Sequence, residues 1–126
     1  MLKIKRIALE SALQGARETH PDEFIALFRG EKENGEMVLT ELILAPFSSY
    51  DKSSSSYSPY FIPANSSEAA SFHSHPSPHS AYPSTQDLHF FSRSQEFHFI
   101  ACFPYRIEDA NAFDSKGTKI EFQVIE

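Results

Sequence analysis

The chain has 126 residues, 40% of them hydrophobic and twelve of them Phe, and eleven Lys plus Arg against seventeen Asp plus Glu leave a formal charge of −6. That length fits one compact domain over residues 1–126, at the usual scale of about 100 to 200 residues per domain, and so much apolar content excludes disorder throughout. An acidic surface repels phosphate backbones and anionic lipid, so neither nucleic acid nor a membrane surface is an expected partner.

From the start of the chain, Leu9, Ala12, Leu13 and Ala16 recur at spacings of three and four, which predicts an amphipathic helix over residues 7–19, ended near Pro21. The apolar run Phe24-Ile25-Ala26-Leu27-Phe28, the turn signal Asn34-Gly35 and the run Met37 to Leu44 predict two buried antiparallel strands. Between Pro46 and Pro63 the composition turns to Ser, Tyr and Pro, which predicts a long surface loop, a binding loop or a linker, with a short edge strand at Tyr60-Phe61-Ile62. Ser84 to Arg93 starts with a helix signal and carries Leu88 and Phe91 three apart, so a second helix is expected there. Phe97 to Phe103 is a strand-length apolar run, a further segment lies near Arg106 to Phe113, and Ser115-Lys116-Gly117 is a turn. Ile120, Phe122 and Val124 then alternate with polar residues at the period of a half-exposed strand. The sum is an α/β domain, a mixed curved sheet flanked by helices.

The single Cys102 sits in an apolar run, which rules out an intrachain disulfide and a Cys-rich zinc module and reads as core in a reducing cytosol. No apolar stretch approaches the roughly 18 residues of a bilayer span, and Met1 to Arg6 lacks the hydrophobic segment of a signal peptide, so a soluble, cytoplasmic protein is expected.

Residues 72–87 hold three of the six histidines and a carboxylate. If His73 and His75 end a strand, the period of two sends both imidazoles to one face while Ser74 points away, so they can share a metal. Asp87 would approach from the first turn of the next helix as an oxygen ligand. Two His and one carboxylate leave a tetrahedral zinc with one open position, the pattern of a catalytic site. Taken alone, His73-x-His75 is common in polar loops, and Ser84-x-x-Asp87 is also an ordinary helix cap.

Together, His73-Ser74-His75-Pro76, Ser84-Thr85-Gln86-Asp87, and Glu23 followed by an apolar strand and Gly30 resemble the JAMM, or MPN-plus, metalloprotease family, in its short single-domain archaeal form. The resemblance implies the MPN (JAB) layered fold, related to that of the cytidine deaminases. It implies one zinc per chain held by His73, His75 and Asp87, with Glu23 as general base and Ser84 hydrogen-bonding the oxyanion. It implies a zinc-dependent isopeptidase or peptidase, deubiquitinase-like or desampylase-like, cutting after the C-terminal Gly of a ubiquitin-like modifier. The extended tail of the modifier would add a strand along Pro46 to Pro63. A processing peptidase for sulfur-carrier proteins and a non-catalytic MPN module that binds a ubiquitin-like partner stay open beside it. Asp22 rivals Glu23 as the base.

Two positions depart from the family pattern. Pro76 to Pro83 is eight residues where the family has seven, an excess that a turn at His79, Ser80 and Ala81 can absorb, and Ala26 stands where many members have Gly. His79 reads as a solvated loop residue, and His20, His89 and His98 read as structural. No His-Glu-x-x-His helix, Gly-x-Ser-x-Gly turn or phosphate-binding glycine loop is present, and one cysteine excludes the deaminase ligand set.

Overall fold

The computed structural model describes residues 1–44, 49–50, 55–56, 68–92 and 95–126. Eight strands form one mixed sheet: β1 (Leu2–Lys5), β2 (Ile25–Glu33), β3 (Glu36–Ile43), β6 (Glu68–His75), β7 (Phe97–Cys102), β8 (Ala110–Asp114), β9 (Lys119–Ile120) and β10 (Phe122–Ile125). Their order across the sheet is β10-β1-β3-β2-β6-β7-β8-β9, and β4 (Ser49–Tyr50) pairs separately with β5 (Ser55–Ser56). Helix α1 (Arg6–Thr19) follows β1, and α2 (Thr85–Phe91) connects β6 to β7.

Side-chain alternation along the central strands sets the layers. Ala26 and Phe28 of β2, Ala70 and Phe72 of β6, and Phe99 and Ala101 of β7 pack with Ala8, Leu9, Ala12, Leu13 and Ala16 of α1. The intervening residues face the other way: Ile100 and Cys102 pack with Phe91 of α2, and Ile25 and Leu27 with Phe90. The helices therefore cover opposite faces. Leu9 and Leu13 are fully buried, a contribution of about 1.5–3 kcal/mol for each such side chain.

The predicted α/β architecture is the observed one, and the first helix, the antiparallel pair β2–β3 and the second helix lie where periodicity sets them. Cys102 is buried in the core. Four details differ. Leu2–Lys5 is a strand between β3 and β10, too short to show a period against the helix that follows. Strand β2 continues to Glu33 because the hairpin carries its charged end into solvent, with Asn34 and Gly35 both at positive φ in the turn. Leu88 is exposed although Phe91 is buried. The closing alternation divides at Glu121 into β9 and β10, which occupy the two ends of the sheet order. The edge strand expected at Tyr60 to Ile62, and most of the loop Pro46 to Pro63, lie outside the described residues.

The connection β6-α2-β7 joins parallel neighbours, Ser71↔His98 through His75↔Cys102. In such a unit the crevice at the carboxyl end of the strand, beside the helix start, is where functional side chains converge.

Candidate active site

The site stands at that crevice. It lies at the end of a central strand, β6, rather than at a lateral edge of the sheet, because β2 and β7 flank β6 on both sides. His73 and His75 share one face of β6, as their spacing requires, and Asp87 reaches them from the first turn of α2. His75 Nε2 lies 3.1 Å from Asp87 Oδ2, and His73 Nδ1 lies 3.7 Å from Asp87 Oδ1. The helix-cap reading of Ser84-x-x-Asp87 is the one the structure displays. Ser84 Oγ accepts from Asp87 N–H at 3.1 Å and Asp87 Oδ2 accepts from Ser84 N–H at 2.9 Å, a complete capping box. The cap fixes the rotamer that turns the carboxylate toward the imidazoles.

His75 is oriented from behind. Its Nδ1–H donates to the Ser80 carbonyl at 2.7 Å, which leaves Nε2 to face Asp87. That is the arrangement by which a ligating imidazole is normally held. Burial opposes the charge of His75, but the Asp87 hydrogen bond, the Ser80 carbonyl and the charges of Asp87 and Glu23 outweigh it and raise its pKa. Burial also opposes the charge of Asp87, yet the His75 bond, the His73 ring and the Ser84 N–H hold its pKa down at about 2. His73 is buried, which drives its pKa to about 4 and keeps the ring neutral.

Among the described residues no three His, Cys, Asp or Glu side chains stand in ready-made coordination geometry, since Asp87 spans the imidazoles as an ion-pair partner. The donor set nonetheless fits a divalent cation: a deprotonated carboxylate, a neutral imidazole, and a second imidazole whose Nε2 proton a cation would replace. His73 Nε2 is buried without a hydrogen-bond partner, so the ring's polar capacity is not consumed by the protein.

Glu23 enters through backbone pairing. Strands β2 and β6 run antiparallel with Ile25↔His73, and the ladder continues past β2 by Ser74 N–H donating to the Phe24 carbonyl at 3.0 Å. Extended two residues beyond Ile25, that register would bring Glu23 opposite His75, and the charge of Glu23 acts on His75. Asp22 closes the turn instead, its N–H donating to the Thr19 carbonyl at 3.0 Å.

In the loop between β6 and α2, His79 is exposed and takes the left-handed conformation at φ 61°, while Ser80 Oγ donates to the Ser77 carbonyl. Asn111 of β8 donates to the Ala81 carbonyl at 2.9 Å, so the loop is tied to the sheet just after the turn. Sequence reasoning missed Asn111, the Ser80 carbonyl and Ser74. Ser74 was legible in part: period two turns it away from the face that carries His73 and His75, and its hydroxyl there accepts from Phe24 N–H at 2.7 Å.

Comparison with known proteins places the chain in one family. The family described as prokaryotic homologs of the JAB domain matches residues 6–114. A probable metalloprotease of Haloferax volcanii is 32% identical over 125 residues, covering 94% of this chain and 76% of that protein. A JAB1/MPN-domain protein from Archaeoglobus fulgidus superposes with a TM-score of 0.75 at 35% identity, over 98% of this chain and 99% of the other. A structure presented as JAMM, a metalloprotease-like zinc site in the proteasome and signalosome, superposes at 0.74 with 36% identity, over 100% and 99% of the two chains.

Proposed function

The chain belongs to the family of prokaryotic JAB-domain homologs and is a metalloprotease of the JAMM kind, and from that premise we propose that it is an isopeptidase that cuts after the C-terminal Gly of a ubiquitin-like modifier. The observation that carries the reading is the convergence of two imidazoles and one carboxylate at the end of β6, with the charge of Glu23 acting on His75.

In this reading His73, His75 and Asp87 hold the metal, zinc by the character of the donors. Zinc in such a site lowers the pKa of water from about 15.7 toward about 7 and polarises a carbonyl. Glu23 takes the proton of the water whose oxygen adds to the scissile carbonyl carbon, and returns a proton to the nitrogen as the carbon–nitrogen bond breaks. Ser84 Oγ already accepts from Asp87 N–H, which leaves its own O–H to donate to the oxygen on which charge develops. The lysine-bearing protein leaves as a free amine and the modifier as a free carboxylate.

The test is metal content and cleavage of an isopeptide-linked ubiquitin-like conjugate by wild type, by Glu23→Gln and by a chelated sample. Loss of cleavage in both, with about one zinc per chain kept by Glu23→Gln, supports the assignment. A wild-type protein that holds no zinc and cuts nothing overturns it in favour of a binding module. Zinc-dependent cleavage of a linear modifier fusion alone would instead point to a processing peptidase.

A further inference from the structure

His98 has no place in the motif, yet it lies between the two elements that carry the metal ligands. On β7 it sits in parallel register with Ser71 of β6, and its Nδ1 is hydrogen-bonded to Ser71 Oγ at 2.6 Å with both residues fully buried. Ser71 shares the strand face of His73, two residues on. The other side of the bridge is aromatic. The His98 ring stacks flat on Phe91, with centroids 4.0 Å apart and planes 8° apart, and Phe91 is itself fully buried. Phe91 lies four residues after Asp87, on the same side of α2. Phe90 adds edge contacts to His98 at 6.0 Å and to His73 at 5.0 Å.

Helix α2 has only seven residues, too few for its own backbone bonds to hold it in place. Its seat on the sheet therefore depends on side chains, and the Ser71–His98–Phe91 series is a buried, directional connection from β6 to α2. The hydrogen bond fixes the plane of the imidazole, and the stack transfers that plane to the helix.

We propose that His98 is a positioning residue for the metal site, pinned by Ser71 and stacked on Phe91 so that the separation of Asp87 from His73 and His75 is set. The inference rests on the reading of those three residues as ligands. It does not make His98 a ligand or a proton carrier.

The test is the affinity for zinc(II) alone, measured by competition with a chromophoric chelator, together with the absorption spectrum of the cobalt(II) form. Ser71→Ala and His98→Leu are each expected to weaken zinc binding about 10-fold, the scale of outer-shell partners, and to alter the cobalt spectrum. Ser71→Thr, which keeps the hydroxyl, is expected to bind close to wild type. The double variant Ser71→Ala/His98→Leu should be little weaker than either single one, because both break the same connection. Leu13→Ala, in the core on the opposite face, lowers stability and is expected to leave affinity and spectrum unchanged. Wild-type affinity in both Ser71→Ala and His98→Leu overturns the inference, as does an equal loss in Leu13→Ala. Should His98→Leu fail to fold, Ser71→Ala alone, which keeps both rings, decides. His75→Ala separates the two levels: if it leaves zinc binding intact, the ligand reading itself fails, whereas loss in His75→Ala with none in Ser71→Ala removes only the role of His98.

Discussion

Ser74 and Phe24 are bonded to each other twice: the Ser74 hydroxyl accepts from Phe24 N–H at 2.7 Å, and Ser74 N–H donates to the Phe24 carbonyl at 3.0 Å. The residue between the two imidazoles is thus the one that holds the segment bearing Glu23. Both residues are buried, so Ser74→Ala leaves Phe24 N–H without its acceptor, at about 1–3 kcal/mol in urea unfolding. Cleavage should fall about 10-fold or more as Glu23 loses its placement, with zinc content unchanged, and Ser74→Thr should restore both.

Gly15 supports Glu23 from the other side. A Cβ at Gly15 would come within 2.5 Å of the Phe24 ring, which lies against α1 at that point. Alanine favours a helix interior by about 1 kcal/mol, but here overpacking of about 1–3 kcal/mol opposes it. Gly15→Ala should therefore lower the melting temperature, and activity should fall by a larger factor than zinc affinity.

His79, in the loop between β6 and α2, stands at φ 61° with its side chain in solvent. Glycine takes that conformation without strain, so His79→Gly should be neutral or stabilising by up to about 1 kcal/mol in thermal unfolding. Zinc stoichiometry and cleavage should match wild type. A loss of zinc would make His79 a ligand.

The acid response of the chelated protein follows from the buried histidines. Burial lowers His73 and His98 to about 4, while the unfolded chain binds the same protons near 6.5. The unfolded state therefore carries more protons between those values. The share of stability due to His73 and His98 should be full above pH 6.5, fall as pH drops toward 4, and change no further below, at up to about 1.4 kcal/mol per pH unit for each group, whereas His75, whose pKa is raised, stabilises the fold below pH 6.5 and loses that contribution as pH rises above it. His98→Leu should make that slope shallower in urea titrations at pH 4 to 7. Asp87 acts at lower pH: its contribution is present above about 3.8 and is lost as pH falls through about 2.

The sequence made the convergence of His73, His75 and Asp87 legible because a strand period and a helix cap are local rules. His73 and His75 needed only the spacing of two, and Asp87 only the capping position three after Ser84. Glu23 was singled out by resemblance to a family pattern, and its approach to His75 rests on the pairing of β2 with β6, residues about 50 apart that no local period encodes. His98 and Asn111 were invisible for the same reason, as each acts through a neighbour on another strand or loop. Strand β1 was missed because four residues next to a helix carry too little period to stand out.

Strand β1 has another consequence. It pairs in parallel with β10, Leu2 with Phe122, so this edge of the sheet joins residues about 120 positions apart. Such a contact has the greatest loop-closure entropy in the chain and is the last to be rewarded as the chain orders. The β2–β3 hairpin, closed by a two-residue turn, forms from neighbours. Truncating Val124 should therefore speed unfolding and leave the folding rate nearly unchanged, whereas truncating Leu39 should slow folding. Resistance to unfolding over time is thus governed at the β1–β10 seam, three strands away from the end of β6 where the imidazoles converge.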